Sequence, residues 1–97
     1  MNAKMVGLME ILQEKGTALR EPYSKPLEDG IFELKAVQGS NISRALFFFF
    51  IKGRIVITHG FIKKTKKTPR SEIELARKYR ADYLRRHSQE RDKKESR

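Results

Sequence analysis

The sequence contains no cysteine, which excludes disulfide bonds and thiolate metal sites and suits a reducing compartment. It also has no run of about 18 apolar residues, the length that a membrane-spanning helix needs. The N-terminus is amphipathic and does not show the charged segment and apolar run of a secretory signal peptide. These absences predict a cytoplasmic protein that does not bind a membrane.

Several kinds of catalytic site are missing as well. The two histidines, His59 and His87, lie far apart and have no metal-ligand spacing. No serine lies in a nucleophile elbow, and no glycine-rich phosphate loop occurs. We therefore expect neither a bound metal nor an organic cofactor.

Positive charge is abundant and unevenly distributed. The 97 residues carry a net charge of +10. Residues 1–62 hold 8 Lys/Arg against 6 Asp/Glu, whereas residues 63–97 hold 14 against 6. This asymmetry favours a nucleic acid or another anionic partner, although a solvated helix face would also account for part of it.

Hydrophobic spacing predicts one α+β domain over residues 1–88, followed by a frayed basic tail at 89–97. The predicted order is helix, three antiparallel strands, helix, with both helices packed against the sheet. Four consecutive phenylalanines, Phe47 to Phe50, require the middle strand to be covered on both faces. The predicted helices are 3–15 and about 69–88, with Thr68 as N-cap, and the predicted strands are 31–37, 42–51 and 54–62, after a loop at 17–30.

The dipeptide Lys52-Gly53 predicts a tight two-residue hairpin. In that register Arg44 pairs with Phe61 and Leu46 pairs with His59, so these four residues share one face of the sheet. Arg44 and His59 are then diagonal neighbours, about 7–8 Å apart at the backbone. A longer loop would change this register.

The predicted catalytic residues are Arg44, His59, Lys63 and Lys64. RNA supplies its own nucleophile, the 2′-hydroxyl, so the protein must remove a proton, stabilise the phosphorane and protonate the leaving oxygen. Arginine binds phosphate oxygens bidentately, and histidine and lysine can transfer protons. No metal is required for this chemistry.

Structural interpretations of the same residues remain open. Arg44 is also suitable as an ion-pair partner of Glu33 on the neighbouring strand. A structural or stacking role suits His59 about as well as a catalytic role. The lysine-rich loop after residue 62 is equally suited to gripping phosphate without chemistry.

Three sequence features together resemble the RelE/ParE toxin superfamily, most closely its HigB-like, phage-derived branch. These are PYSKPLEDGIFELKA at 22–36, Arg44 before the aromatic strand, and HGFIKKTKKTP at 59–69. The resemblance covers about residues 4–84. Family members usually carry a further strand and helix before a helix like that at 3–15, and the likeness does not extend to those elements.

The resemblance implies the toxin of a type II toxin–antitoxin pair that cuts mRNA in the ribosomal A site without a metal. Arg44 then resembles the central-strand arginine of related sites, and Lys63 and Lys64 lie where cations stabilise the cleaved phosphate. The implied partners are mRNA, the ribosome and an antitoxin, often with a helix-turn-helix domain, in a hetero-oligomer. The expected RNA-binding residues are Lys66, Lys67, Arg70, Arg77 and Arg80.

Two alternative functions remain open at this point. One is a toxin of the same fold that inhibits DNA gyrase and cuts nothing. The other is a non-enzymatic, basic nucleic-acid-binding protein, which would bind with a steep salt dependence and release no product.

Overall fold

The computed structural model describes residues 3–62 and 67–89. Within them lie two α-helices and one antiparallel sheet of four strands in the order β1-β2-β3-β4. The helices are α1 (Ala3–Lys15) and α2 (Arg70–Arg86). The strands are β1 (Ser24–Glu28), β2 (Ile31–Gln38), β3 (Asn41–Phe49) and β4 (Ile55–Ile62). The α+β class and the two flanking helices are confirmed.

The prediction of three strands is wrong, because β1 lies within the segment predicted as a loop. Pro26 lacks a backbone donor, which is tolerated here because β1 lies at the edge of the described sheet and pairs there with β2 alone. The register shifts between Pro26 and Glu28, and Asp29 and Gly30 complete the turn with positive φ angles. Proline and turn residues thus concealed a short strand.

Helix α1 packs on one face of the sheet. Its apolar stripe, Met5, Leu8 and Leu12, contacts Leu34 and Phe47. The helix ends at Lys15, and Gly16 follows with a φ of 54°, the left-handed conformation that commonly ends helices. This helix agrees with the predicted span of 3–15.

Helix α2 packs on the opposite face, where Ala76 joins Ile31 and Leu46 in a second apolar cluster. The phenylalanine run divides between the two faces. Phe47 belongs to the core under α1, while Phe48 and Phe50 make edge-on ring contacts with Tyr83 of α2. The prediction that β3 is covered on both faces is confirmed.

The start of α2 differs slightly from its prediction. The helix begins at Arg70, and Pro69 occupies the N-cap position with a non-helical ψ of 140°. The hydroxyl of Thr68 donates a hydrogen bond to the carboxylate of Glu33. Thr68 therefore ties the entry of α2 to the middle of the sheet.

The β3–β4 hairpin is longer than the predicted two-residue turn. Phe49 pairs with Ile55, and a single turn of 3-10 helix at 51–53 closes the loop, with Lys52 and Gly53 at φ angles of 58° and 74°. This loop moves the register by one residue. A bulge at Thr58 moves it back, so Leu46 pairs with His59 and Arg44 with Phe61, as expected.

Candidate functional site

Arg44 lies at the middle of β3 on the face covered by α2, and only 6% of its surface is exposed. Its Nη1 donates to Oε1 of Glu33, while Thr68 donates to Oε2 of the same carboxylate. Glu33 is 1% exposed. The ion pair that the sequence allowed between Arg44 and Glu33 is therefore present, and it connects the sheet centre to the start of α2.

This ion pair leaves one donor of Arg44 unused. The Nε atom is buried and has no hydrogen-bond partner among the described residues. An unsatisfied buried donor costs about 1–3 kcal/mol, and removing one member of a buried ion pair costs more. The ion pair therefore fixes the position of Arg44, while its Nε is still able to donate a hydrogen bond to a ligand.

His59 owes its position to the bulge in β4. Thr58 is the extra residue of the bulge, and its hydroxyl donates to the carbonyl oxygen of Leu46 at 3.2 Å. The same hydroxyl lies 3.1 Å from Nδ1 of His59. A bulge changes the direction of nearby side chains, and here it sets the ring of His59 under α2.

The other ring nitrogen of His59 contacts α2. Nε2 lies 3.0 Å from Oε1 of Glu72, and the ring stacks on Phe61 and meets Tyr79 edge-on. Because the hydroxyl of Thr58 donates to Leu46, it accepts from Nδ1 of His59, and a ring with a proton on each nitrogen satisfies both nitrogen contacts. In that form His59 can act as a general acid once a substrate oxygen replaces one of its two acceptors.

The structure thus brings Arg44 and His59 onto one face of adjacent strands, in the predicted register. An arginine that can bind phosphate and a histidine that can donate a proton are two of the components that RNA cleavage needs. Glu72 and Thr58 were not singled out in the sequence. In the sequence, Glu72 appears only as an acidic residue in the first turn of a helix. Such a residue is already explained by its favourable interaction with the helix dipole.

The structure describes only the end of the lysine-rich segment at 63–67. Lys63, Lys64 and Lys66 lie outside the described residues. Lys67 is exposed just before Thr68. The catalytic role of Lys63 and Lys64 and the RNA-binding roles of Lys66 and Lys67 stay predictions.

The candidate RNA-binding arginines of α2 contact the turn between β1 and β2. Arg70 donates to Glu28, Arg77 pairs with Glu28 and Asp29, and Arg80 donates to the carbonyl oxygen of Asp29. The hydrogen bond from Arg70 is the largest of several effects that lower the pKa of Glu28, and Glu28 in turn raises the pKa of Arg70. These arginines fasten the turn to α2, and their role in RNA binding stays a prediction.

A small open cavity of about 130 Å³ lies beside Arg44. Three cations border it, Lys25 of β1, Lys35 of β2 and Arg44 of β3, together with Tyr23 and Ser24. Sequence reasoning missed these lysines. The position of Lys35 opposite Arg44 was accessible from the strand register, whereas that of Lys25 depended on the unpredicted strand β1.

Two kinds of feature are absent from residues 3–62 and 67–89. No three His, Asp or Glu side chains come together there in an arrangement that could hold a metal ion. Neither helix in this part of the chain is long and apolar enough to cross a membrane.

The fold and site define a small basic α+β protein with an arginine and a histidine on the sheet face beneath its C-terminal helix. The chain belongs to the family described as phage derived protein Gp49-like (DUF891), which matches residues 1–81. This is a toxin-like family related to RelE. No curated protein matches the chain.

Proposed function

We propose that the protein is the toxin of a type II toxin–antitoxin pair, in the HigB-like branch of the RelE/ParE superfamily, and that it cleaves mRNA on the ribosome. Membership of a toxin-like family supports the biological role. The observation that carries the chemistry is the position of Arg44 and His59 on one face of paired strands. A long single-stranded substrate suits a shallow, basic surface better than a deep pocket.

The proposed reaction is attack of an RNA 2′-hydroxyl on the adjacent phosphate. The bond from the 2′-oxygen to phosphorus forms, and the bond from phosphorus to the 5′-oxygen breaks. Arg44 stabilises the charge on the phosphorane, and His59 protonates the departing 5′-oxygen. The candidates for the base that takes the 2′-hydroxyl proton are Lys63 and Lys64.

Arg44 must serve this reaction while it is paired with Glu33. The terminal N–H groups that Glu33 does not take up are the donors available to the cleaved phosphate. Glu33 orients the guanidinium and is itself held by Thr68. A substrate that reaches this face of the sheet thus meets an arginine whose direction is already set.

The buried Arg44–Glu33 pair also favours a second candidate function. If Arg44 only stabilises the sheet, the protein acts without chemistry, either as a gyrase inhibitor of the same fold or as a basic nucleic-acid-binding protein. In that case an antitoxin would still cover the basic surface of the protein. The two candidates differ in whether mRNA is cut and in whether cells show translation arrest or a DNA-damage response.

The proposed partners are mRNA, the ribosome and a cognate antitoxin with a helix-turn-helix domain, and the proposed location is the cytoplasm. The basic charge of the chain is suited to both an RNA and an acidic protein. Co-expression tests the antitoxin directly. A small protein encoded beside this gene should relieve growth arrest and co-purify with the toxin.

Primer extension on one mRNA, incubated with the protein with and without translating ribosomes, tests the proposal. We expect discrete cuts only in the translated sample. Their loss in His59→Gln, with an unchanged melting temperature, would assign the cleavage to this site. Intact mRNA in both samples, with the protein folded, would support the non-enzymatic alternative.

A further inference from the structure

We propose that the cavity beside Arg44 is a subsite for a backbone phosphate of single-stranded RNA, adjacent to the phosphate that is cleaved. This inference rests on the proposed function, since it assumes an RNA substrate. The new residues are Lys25 and Lys35 as phosphate ligands and Tyr23 as the platform for a neighbouring base. The site lies on the face of the sheet that α2 covers only in part.

The cations converge because of the strand register. Lys35 of β2 pairs directly with Arg44 of β3, and Lys25 of β1 pairs with Glu33, two positions along β2 from Lys35. Residues in these positions share one face of the sheet. Three neighbouring strands therefore each direct one cation to the same cavity.

Lys35 lies directly opposite Arg44, and because Glu33 is paired with Arg44, the charge of Lys35 is not matched by a carboxylate among the described residues. Like charges directly opposite each other on antiparallel strands are destabilising. Among the described residues, neither Lys25 nor Lys35 forms an ion pair, and Glu33 is already bound by Arg44 and Thr68. A phosphate bound between these cations would remove the repulsion that the fold otherwise tolerates.

A second observation comes from the unused donor of Arg44. Its Nε is buried without a hydrogen-bond partner among the described residues, although the side chain borders the cavity. Guanidinium groups bind phosphates through two adjacent N–H groups, so a small rotation of Arg44 would satisfy this donor with a phosphate oxygen. The cost of the unsatisfied donor then favours ligand binding.

Size and surroundings limit the ligand. Sites that enclose drug-sized ligands measure roughly 300–1,000 Å³, so a cavity of about 130 Å³ accepts a group rather than a whole nucleotide. Tyr23 borders this cavity and is 50% exposed, which leaves its ring open to a base outside the cavity. The second carboxylate at the cavity, that of Glu21, lies on the exposed rim.

The test is a binding measurement that requires no cleavage. A short 2′-O-methyl RNA, which lacks the attacking hydroxyl, is titrated into wild-type protein, Lys35→Gln, Lys25→Gln and the control Lys15→Gln. Lys15 lies at the end of α1, outside the cavity. We expect about a fivefold to tenfold weaker affinity in the two cavity variants, a salt slope lower by about 0.7 for each, and no change in the control.

Three results would overturn the proposal. One is equal affinity in Lys35→Gln and Lys15→Gln, with both proteins folded. Another is binding of inorganic phosphate in the cavity without binding of the RNA, which would make this a free-phosphate site. The third is tighter binding of a polyglutamate peptide that Lys35→Gln abolishes, which would assign the cavity to an acidic protein partner.

Failure of the subsite and failure of the proposed function are distinguishable. If RNA binds through Lys25 and Lys35 but no mRNA is cut, the subsite stands and the nuclease does not. If mRNA is cut with equal efficiency by Lys35→Gln and wild-type protein, the nuclease stands and the subsite does not.

Discussion

Nε2 of His59 lies 3.0 Å from Oε1 of Glu72, so the histidine on the edge strand is held by the first turn of α2. The same helix entry carries Thr68, which holds the carboxylate that orients Arg44. Arg44 and His59 are thus fixed by one short segment, residues 68–72. The contacts that hold the start of α2 against the sheet therefore also position Arg44 and His59.

Glu72 should act as a positioning residue for His59. Glu72→Ala removes the acceptor that fixes the ring, and we expect cleavage about tenfold slower, equivalent to about 1.4 kcal/mol of transition-state stabilisation. Glu72→Gln retains an acceptor oxygen and should be less impaired. Single-turnover cleavage rates measure both variants. Glu74→Ala, an exposed carboxylate on the same helix, is the control, and equal slowing in Glu74→Ala and Glu72→Ala would contradict the assignment.

The buried ion pair allows stability to be separated from activity. Arg44→Met leaves the carboxylate of Glu33 buried without its cation, which should cost about 3–5 kcal/mol in the free energy of unfolding. The double variant Glu33→Leu/Arg44→Met removes both charges and should recover most of that loss, yet remain inactive. Urea unfolding measures the stability of the single and double variants, and cleavage assays measure their activity. An active double variant would show that Arg44 has no catalytic role.

Acid should weaken the contact between the β1–β2 turn and α2. Arg70 and Arg77 hold the pKa of Glu28 below its ordinary value of 4.5. The unfolded chain then binds more protons than the folded chain between the two pKa values, so this contribution to stability is present above pH 4.5 and lost as pH falls through the lowered pKa. Unfolding curves at several pH values should show a weaker acid dependence in Glu28→Gln than in wild-type protein. An identical acid dependence would exclude this linkage.

The α2 arginines offer a test of the predicted RNA-binding surface. If Arg70 and Arg77 contact phosphates, each change to glutamine should lower the slope of log affinity against log salt by about 0.7. The exposed Arg85, farther along the same helix, provides the control variant Arg85→Gln. An unchanged slope together with a lower melting temperature would restrict both arginines to fastening the β1–β2 turn.

The sequence predicted the helices and three strands because their apolar periodicities are clear and few breakers interrupt them. It did not predict β1, where Pro26 and the following turn residues indicate a loop and only an edge position makes a strand possible. The position of Lys25 at the cavity depends on that strand and its register, so local patterns could not reveal it. The position of Lys35 opposite Arg44 depends only on the pairing of β2 with β3 and could have been found from the sequence.

The position of His59 was predicted correctly for an incomplete reason. The assumed two-residue turn is really a five-residue connection, which alone would have moved every pairing by one residue. The bulge at Thr58 compensates, and a hydroxyl that bonds the carbonyl oxygen of Leu46 helps to stabilise it. The alternation of apolar residues in the strand reveals neither the longer loop nor the bulge. Their effects on the register are opposite, and together they restore the expected pairing.

The most direct measurement is end-group analysis of an end-labelled mRNA held in a purified ribosome complex with an open A site. The account predicts a cut within the exposed codon, with a 2′,3′-cyclic phosphate on the upstream fragment and a 5′-hydroxyl on the downstream one. His59→Gln should not produce these ends. Uncut mRNA after incubation with folded wild-type protein, or cleavage that leaves a 5′-phosphate, would contradict it.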